Sequence, residues 1–293
     1  MKIIKSDFIS KGIRCDGDLL LPDNINNPPV VIMAHGFASQ KNFGLRPYAE
    51  RFIEKDMAVF LFDYRTFGRS DGEPRQIVDP FHHVEDWKAA VAHVRNINEV
   101  DGGRISLWGS SFSGGHVISV AASDDKIKAV IAQVPFMSGT SSTSMKSFPD
   151  IIKSAVYGIY DVIRNTVGLS PHYSPVIGRS GTFAAMNSEE SYDGYMSIVG
   201  NDQIWENKVA SRVFLKMLMY NPSAKAKKIK ANVLIMAAKH DSLIPIKAIE
   251  KCAKNITNCK LVIMDCNHFA PYTGETFKKY IGTHVEFLER YLK

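Results

Sequence analysis

The chain has 293 residues, of which 45% are hydrophobic and 23% charged, with a net charge of +6. That length is enough for one large α/β domain with an insertion, or for two small domains. The basic excess is mild, and we interpret its densest run, residues 225–230, as a solvated helix end, which argues against a nucleic-acid partner. No apolar stretch approaches a membrane span, and the N-terminus lacks an apolar core of signal-peptide length, so we expect a soluble cytoplasmic protein.

Residue types that bind metals are poorly placed in this sequence. Its four cysteines lack C-x-x-C spacing, which indicates free thiols in a reducing compartment: Cys15, Cys252, Cys259 and Cys266. His82 and His83 have no companion acid or cysteine at ligand spacing, so we expect a pair of surface histidines. We therefore predict no metal and no cofactor. The oligomeric state stays open, with a homodimer as one alternative.

Strands and helices alternate through residues 1–135. Residues 1–22 read as one or two antiparallel strands that turn near Gly17, and the apolar runs 30–34 and 58–62 are typical of central strands covered on both faces. A helix opens after residue 79, with a predicted core stripe at three- and four-residue steps: Phe81, Val84, Trp87, Val91 and Val94. Short links between strands and helices predict a parallel sheet with right-handed crossovers.

The segment 104–115, R-I-S-L-W-G-S-S-F-S-G-G, reads as a strand, a tight turn and a helix. That layout is typical of a nucleophile elbow, in which the turn exposes a serine oxygen and aims backbone N–H groups at an oxyanion. Gly109 suits the position two residues before the nucleophile, which makes Ser111 the candidate. One alternative register places the nucleophile at Ser113. In a non-catalytic alternative, the segment is only a Ser/Gly turn that leads into an ordinary helix.

The alternation stops between residues 136 and 224 and then resumes. Helical spacing recurs in that stretch, and no strand is strong enough to name: the helical pieces are 150–167, a short one near 184–186, and 206–220. We therefore predict an α/β core domain of residues 1–135 and 225–293. An all-helical cap of residues 136–224 interrupts it.

Functional groups in open parallel sheets collect at the carboxyl ends of the strands. Ser111, Asp241 and His268 each follow a predicted strand, in the chain order expected when a nucleophile elbow lies on such a sheet. A serine nucleophile needs a general base, and histidine suits that role near neutral pH. The histidine in turn needs a carboxylate to fix its tautomer. The sequence therefore predicts a Ser111–His268–Asp241 catalytic triad.

Two other aspartates compete for the acid position. Asp265 lies only three residues before His268, too close to reach the proper side of its ring. Asp63 also ends a strand, but we expect it to brace the following loop through an ion pair. Asp241 itself equally suits a turn or a helix N-cap, because a serine and a proline follow it.

Two other histidines compete for the base position. His240 and His35 both follow predicted strands. We expect His35 to shape a turn instead, because Gly36 suits a loop whose N–H groups face the reaction centre. The simpler interpretation of His268 is a loop histidine packed on Phe269.

Five motifs resemble those of α/β-hydrolase-fold serine hydrolases with an inserted cap: H-G-F at 35–37, D-Y-R-T-F-G-R-S-D-G at 63–72, G-S-S-F-S-G-G at 109–115, H-D-S-L-I-P at 240–245 and N-H-F at 267–269. The resemblance covers nearly the whole chain. W-G-S-S-F-S-G-G, together with G-T-F-A-A-M and a following D-G-Y, is similar to a branch of esterases, thioesterases and polyketide transferase-like proteins. Ser113 departs from the family at the last position of its G-x-S-x-G elbow.

The resemblance implies an α/β-hydrolase fold and a triad of Ser111, Asp241 and His268. It also implies an oxyanion hole formed by the backbone N–H groups of Phe37 and Phe112. The expected activity is hydrolysis of a small-molecule ester or thioester through an acyl-enzyme on Ser111. An acyltransferase or a peptidase with the same triad is the alternative, because the motifs do not encode the acceptor or the leaving group. A non-catalytic binding protein is disfavoured, since no triad member is lost.

The predicted cap is rich in two residue types that suit an adaptable pocket. It holds six of the eleven methionines, at 137, 145, 186, 196, 217 and 219, and six of the eleven tyrosines, at 157, 160, 173, 192, 195 and 220. Two interpretations carry equal weight: these side chains line an apolar pocket above Ser111, or they form the core of the cap itself. The first interpretation predicts a substrate with a medium or hydrophobic acyl group.

Overall fold

The computed structural model describes residues 1–23, 25–199 and 204–293. Its largest element is a sheet of eight strands: β1 Lys2–Lys5, β4 Gly17–Leu21, β5 Val30–Ala34, β6 Ala58–Phe62, β7 Ile105–Ser110, β8 Ala129–Gln133, β11 Asn232–Ala238 and β12 Cys259–Met264. The strands are ordered β1-β4-β6-β5-β7-β8-β11-β12. All neighbours from β6 to β12 are parallel, and β1 and β4 are antiparallel additions at one edge. This is the α/β-hydrolase fold, as predicted.

Helices cover both faces of the sheet. Outside the 136–224 insertion, the described residues form five α-helices: α1 Arg46–Ile53, α2 Pro80–Val94, α3 Phe112–Ala121, α8 Ile246–Ala253 and α9 Gly274–Leu292. One apolar cluster joins the sheet to α2, α3 and α8, and a second joins it to α1 and α9. Every residue of β5 to β8 is buried, because these strands lie between the two helical layers. None of the helices in the described ranges is both long and apolar enough to cross a membrane.

The N-terminal strands turn at a different place from the one predicted. A hairpin of β2 Phe8–Ser10 and β3 Ile13–Cys15 turns at Lys11 and Gly12, which both have positive φ. Glycine adopts that conformation without strain, so the turn forms there. Gly17 begins β4 instead, and its N–H donates to the Asp7 carboxylate at 3.1 Å.

Helix α2 buries three of the five residues of the predicted stripe, Trp87, Val91 and Val94, but differs from the prediction in its first turns. Phe81 lies in the first turn and is 45% exposed, and Val84 is only half-buried. The buried side chains include His83, Trp87, Ala90, Val91 and Val94. His83 was expected on the surface, but it packs inside with its ring parallel to that of Tyr64 at 3.9 Å. In the first turns, His83 is thus buried in place of Phe81 and Val84, because it stacks on an aromatic residue of another element, which local spacing does not reveal.

The insertion between β8 and β11 is mostly helical, and not all-helical as predicted. In its described part, 136–199 and 204–224, it contains α4 Gly139–Thr143, α5 Phe148–Thr166, α6 Ser191–Val199 and α7 Val213–Met219, with two short strands, β9 Tyr173–Ser174 and β10 Val209–Ala210. The two strands pair antiparallel, across more than thirty residues of chain. The pairing replaces helix over the first part of 206–220. The predicted helical piece near 184–186 is extended, since Met186 bridges Ile177.

Candidate active site

The elbow predicted at residues 104–115 forms a sharp turn between β7 and α3. Ser111 lies at its apex with φ 55° and ψ −120°, a conformation that side chains rarely adopt. Its N–H donates to the Gln133 carbonyl at 2.8 Å, and its own carbonyl accepts from the Phe136 N–H at 2.9 Å. A Cβ at Gly109 would lie 2.4 Å from the Ser113 carbonyl oxygen, so the turn requires glycine there. This strained apex exposes the Ser111 hydroxyl at the carboxyl edge of the sheet.

Ser113, which stands where the family pattern has glycine, points away from this edge. Its hydroxyl is fully buried, 2.9 Å from the Tyr64 hydroxyl and 3.2 Å from Trp87 Nε1. Trp87 Nε1 also donates to the Tyr64 hydroxyl at 2.8 Å. Ser113 therefore ties the start of α3 to α2 and to the loop after β6. The serine fits the elbow because its small polar side chain enters this buried network.

His268 contacts both other residues of the predicted triad. Its Nε2 lies 3.1 Å from Ser111 Oγ, and its Nδ1 lies 2.7 Å from Asp241 Oδ2. The imidazole and the carboxylate are both almost completely buried, at 2% and 1% exposure. The structure thus brings together three side chains that are separated by up to 157 residues of sequence.

Asp241 both forms a turn and contacts His268, the two roles that its sequence left open. Oδ1 accepts from the N–H groups of Leu243 and Ile244, each at 2.9 Å, as in a turn-forming aspartate. Oδ2 is left to accept from His268. The turn therefore fixes the orientation of the carboxylate that faces the imidazole.

The rival acids have other partners. Asp265 is exposed and lies 2.9 Å from His240 Nε2, which places both of these rivals away from Ser111. Asp63 is buried and accepts from the N–H groups of Lys41 at 2.7 Å and Arg69 at 3.3 Å. The expected ion pair with the loop is therefore wrong: the loop presents backbone N–H groups to the carboxylate. Burial raises the pKa of Asp63 to about 7.

His35 lies beneath the loop that follows β5. It is buried, with Nε2 3.6 Å from Asp63 Oδ1, and burial lowers its pKa to about 3. His83 and His116 are also fully buried nearby, and the pKa of each is lowered, chiefly by burial. Both are joined to the elbow through aromatic contacts with Phe112. The histidine that contacts Ser111 is His268, and these three support the elbow as neutral rings.

Two residues predicted to supply oxyanion donors, Phe37 and Phe112, lie close to Ser111. Phe112 is the first residue of α3, so its N–H has no acceptor within the helix. Phe37 lies one residue after Gly36, whose Cα is close enough that an added Cβ would lie 3.1 Å from Ser111 Cβ. Neither N–H donates to an acceptor among the described residues. Both residues border the cavity at Ser111, where these donors are free to meet an oxygen of a ligand.

The insertion holds the loop that carries Phe37. The Tyr195 hydroxyl donates to the Phe37 carbonyl at 3.0 Å, and Trp205 Nε1 donates to the Ala38 carbonyl at 2.9 Å. Sequence reasoning missed both contacts. They join residues more than 150 positions apart, and a tyrosine or tryptophan in a helical insertion carries no local signal for such a role.

A cavity of about 480 Å³ opens from Ser111 beneath the insertion. Three of the insertion's methionines line it: Met145, Met186 and Met217. None of its tyrosines in the described ranges does so, and Tyr195 and Tyr220 are buried in packing instead. The methionines thus match the pocket interpretation, and these tyrosines match the interpretation that they form internal packing. Among the described residues, no cluster of His, Cys, Asp or Glu is arranged to hold a metal ion.

Comparisons with known proteins agree with the α/β-hydrolase fold. The family model Hydrolase_4, described as serine aminopeptidase, S33, matches residues 26–268. The quorum-quenching protein AidA of Acinetobacter baumannii is 35% identical over 97% of this chain and 93% of its own. The thiohydrolase aneE of Aspergillus aculeatus is 26% identical over 95% of this chain and 90% of its own. The crystal structure of the α/β hydrolase GrgF from Penicillium sp. sh18 superposes with a TM-score of 0.84 at 24% identity, covering 100% of this chain and 99% of that one.

Proposed function

The chain belongs to the Hydrolase_4 family (serine aminopeptidase, S33) of α/β hydrolases, and we propose that it cleaves a carboxylic ester or thioester through an acyl-enzyme on Ser111. The observation that carries the proposal is the hydrogen-bonded chain from Asp241 through His268 to Ser111, with distances of 2.7 and 3.1 Å. That chain ends on a serine exposed by a strained turn, next to two free N–H donors. The relative named a thiohydrolase supports the thioester alternative.

The first half of the reaction forms the acyl-enzyme. His268 Nε2 takes the proton of Ser111 Oγ as that oxygen attacks the substrate carbonyl carbon. Asp241 Oδ2 accepts from the Nδ1–H, so it selects the tautomer that leaves Nε2 free and stabilises the imidazolium. The imidazolium then protonates the leaving alcohol or thiol as the carbon–oxygen or carbon–sulfur bond breaks.

The N–H groups of Phe37 and Phe112 stabilise the negative charge on the carbonyl oxygen during that attack. Each is worth about 3 kcal/mol if it behaves like oxyanion donors removed from other enzymes. In the second half, His268 takes a proton from water, which attacks the acyl carbon. The tetrahedral intermediate collapses, the proton returns to Ser111 Oγ, and the carboxylic acid departs.

We further propose that residues 136–224 act as a cap domain on a core of residues 1–135 and 225–293. The cap supplies most of the walls of the cavity at Ser111, and its Tyr195 holds the loop of Phe37. Its methionines, with Phe136, Leu243 and Ile244, offer an adaptable apolar wall. This lining favours a medium or hydrophobic acyl group, since burying each CH2 contributes about 0.8 kcal/mol.

The proposal is tested with matched panels of esters, thioesters and amides of graded acyl length. We expect turnover of esters or thioesters that rises with acyl length until the cavity is filled, and loss of that turnover in Ser111→Ala. Turnover of amides above the other two would identify a peptidase. New esters or amides formed with added alcohols or amines would identify an acyltransferase. No turnover across the series at any pH would refute the hydrolase proposal.

A further inference from the structure

Lys146 places a positive charge in the wall of the cavity at Ser111. It follows α4 and precedes α5. Its Nζ donates to the Ala184 and Ala185 carbonyl oxygens at 3.3 and 2.7 Å, and it lies 5.5 Å from the centre of the Phe214 ring. Among the described residues, no carboxylate lies within ion-pair distance of it, and Asp150 is the acidic residue that lines the same cavity. The ammonium group is thus held by neutral partners.

An ammonium group has three N–H donors, and two carbonyls use only two of them. Removing such a charge from water is unfavourable unless hydrogen bonds replace the lost solvation. Burial lowers the pKa of Lys146 to about 8, and the more distant Asp150 opposes that shift. Most of the Lys146 side chains are therefore still charged at pH 7, and the described residues supply acceptors for two of the three N–H donors.

The other residues of the cavity wall determine which groups of a bound substrate could reach the third N–H of Lys146. Lys146 and Ser111 line the same space, whose wall combines apolar residues such as Phe136, Met186 and Ile244 with hydroxyl and amide side chains and the carboxylate of Asp150. A purely alkyl chain bound there would cover the ammonium without satisfying its third N–H. A chain that carries an oxygen acceptor would satisfy it.

We propose that Lys146 is a specificity-determining residue that binds an oxygen atom, from a ketone or a carboxylate, on the acyl chain of the substrate. The inference rests on the proposed hydrolase function and narrows its substrate class to oxygen-bearing acyl chains. Hydrogen bonds to charged groups are strong enough that the preference over a plain chain should be roughly 10- to 100-fold in kcat/KM.

The test compares p-nitrophenyl esters of equal chain length that carry a plain chain, an internal ketone or a terminal carboxylate. We expect the wild type to prefer a ketone or carboxylate chain, and the arm that gains identifies the oxygen. Lys146→Met should lose this preference, because its kcat/KM on the ketone or carboxylate ester should fall at least about tenfold more than its kcat/KM on the plain ester. Lys153→Met is the matched control, because Lys153 lines the same cavity but is exposed and lacks the two carbonyl anchors; it should keep the preference.

Two results would overturn the inference. One is a wild type without any preference for oxygen-bearing chains. The other is a Lys146→Met variant that slows plain and oxygen-bearing esters equally, which would mean that Lys146 only supports the chain at Ala184 and Ala185. Lys146→Arg, which keeps the charge, should retain part of the preference. Failure to cleave even the plain ester would defeat the hydrolase proposal itself, and with it this inference.

A second and independent observation concerns the outer face of α5. Six apolar side chains continue along that face at 49% to 74% exposure, the last at the C-cap residue directly after the helix, at successive steps of 4, 4, 3, 4 and 4 residues: Phe148, Ile152, Val156, Ile159, Ile163 and Val167. Helical geometry puts such positions on one stripe, and no charged residue interrupts it. An uninterrupted exposed stripe of this length indicates an interaction surface.

The stripe is self-complementary, because its spacing is the same read from either end. Two copies of α5 packed antiparallel about a two-fold axis would bring every member against another member, pairing Phe148 with Val167, Ile152 with Ile163 and Val156 with Ile159. A symmetric dimer requires such a surface. The six residues expose roughly 600 Å² per chain, so complete burial of both stripes would remove about 1,200 Å² from water, the lower end of the range of stable interfaces. We infer that this face binds a second copy of the chain.

The test measures molar mass by light scattering across a dilution series. We expect a dimer at micromolar concentration and a monomer for Val156→Glu/Ile159→Glu with unchanged helical content. Ile9→Glu, which alters an equally exposed residue of β2, is the control and should stay dimeric. A wild type that is monomeric throughout the series would overturn the inference. So would binding to lipid vesicles that the double variant loses while its mass stays that of a monomer.

Discussion

Ser113→Ala is the substitution that separates the two possible registers of the elbow. If Ser111 is the nucleophile, the Ser113 hydroxyl is structural, and its removal should reduce stability while activity persists. Trp87 Nε1 would keep the Tyr64 hydroxyl as its acceptor at 2.8 Å. The Tyr64 hydroxyl would lose its partner at 2.9 Å, and burial keeps this group a neutral donor by raising its pKa well above the ordinary value.

The magnitude follows from that single unsatisfied group. Leaving one buried donor without an acceptor costs about 1–3 kcal/mol, so we expect the free energy of unfolding in urea to fall by about 1–2 kcal/mol. Ser119→Ala is the matched control on the same helix. The Ser119 hydroxyl is hydrogen-bonded to the Tyr220 hydroxyl at 3.0 Å, and His116 is hydrogen-bonded to the same hydroxyl at 2.8 Å. Tyr220 would therefore keep a partner, and Ser119→Ala should lower the free energy of unfolding by less.

The assay measures urea unfolding and ester turnover on the same preparations. Ser113→Ala should retain kcat within about tenfold, since the Ser111–His268 contact is untouched. A stable, folded Ser113→Ala protein without activity would place the nucleophile at Ser113 and refute the register. Unchanged stability would refute the buried hydrogen-bond account.

Asp241→Asn, Tyr195→Phe and His83→Phe each test a different contact in or around the site. Asp241→Asn should lower kcat by about 10³- to 10⁴-fold. Two main-chain N–H groups would hold the side-chain oxygen of the asparagine, so its NH2 group would face His268 and select the wrong imidazole tautomer. A loss under tenfold would contradict this. Tyr195→Phe should lower kcat about tenfold with little change in KM, since the Phe37 loop loses its anchor; a change confined to KM would assign Tyr195 to substrate binding. His83→Phe should make the free energy of unfolding less sensitive to acid. Burial lowers the pKa of His83 in the folded state only, so below pH 6.5 the unfolded chain binds a proton at this residue that the folded chain does not. The stability that the neutral ring contributes above pH 6.5 is therefore lost as pH falls. Urea unfolding at pH 7 and pH 5 should show a smaller drop for that variant, by up to about 1.4 kcal/mol per pH unit, and an equal drop would contradict the account.

The sheet was predictable because its strands are continuous apolar runs with turn signals between them. β5 and β6 lie where those runs predicted them, since burial on both faces removes any dependence on distant partners. The insertion was less predictable. Its strands β9 and β10 have two residues each and exist only through pairing with each other, so no local pattern announces them.

The candidate site divides in the same way. Ser111, Asp241 and His268 could be chosen because each follows a strong strand, and a parallel sheet brings those ends together. The supporting contacts of Tyr195 and Ser113 could not be predicted from the sequence, because each joins segments that are distant in the chain and meet only in the folded protein. His83 illustrates the limit: it was expected in a surface pair with His82, and its stacking on Tyr64 buries it.

Labelling with a fluorophosphonate probe, followed by mass mapping of the modified peptide, tests the central claim most directly. The proposal that Ser111 is a nucleophile activated by His268 predicts one phosphonylated residue, Ser111. It also predicts no labelling of Ser111→Ala and much slower labelling of a folded His268→Ala. Labelling of Ser111→Ala at the wild-type rate, or an adduct mapped to Ser113, would contradict it.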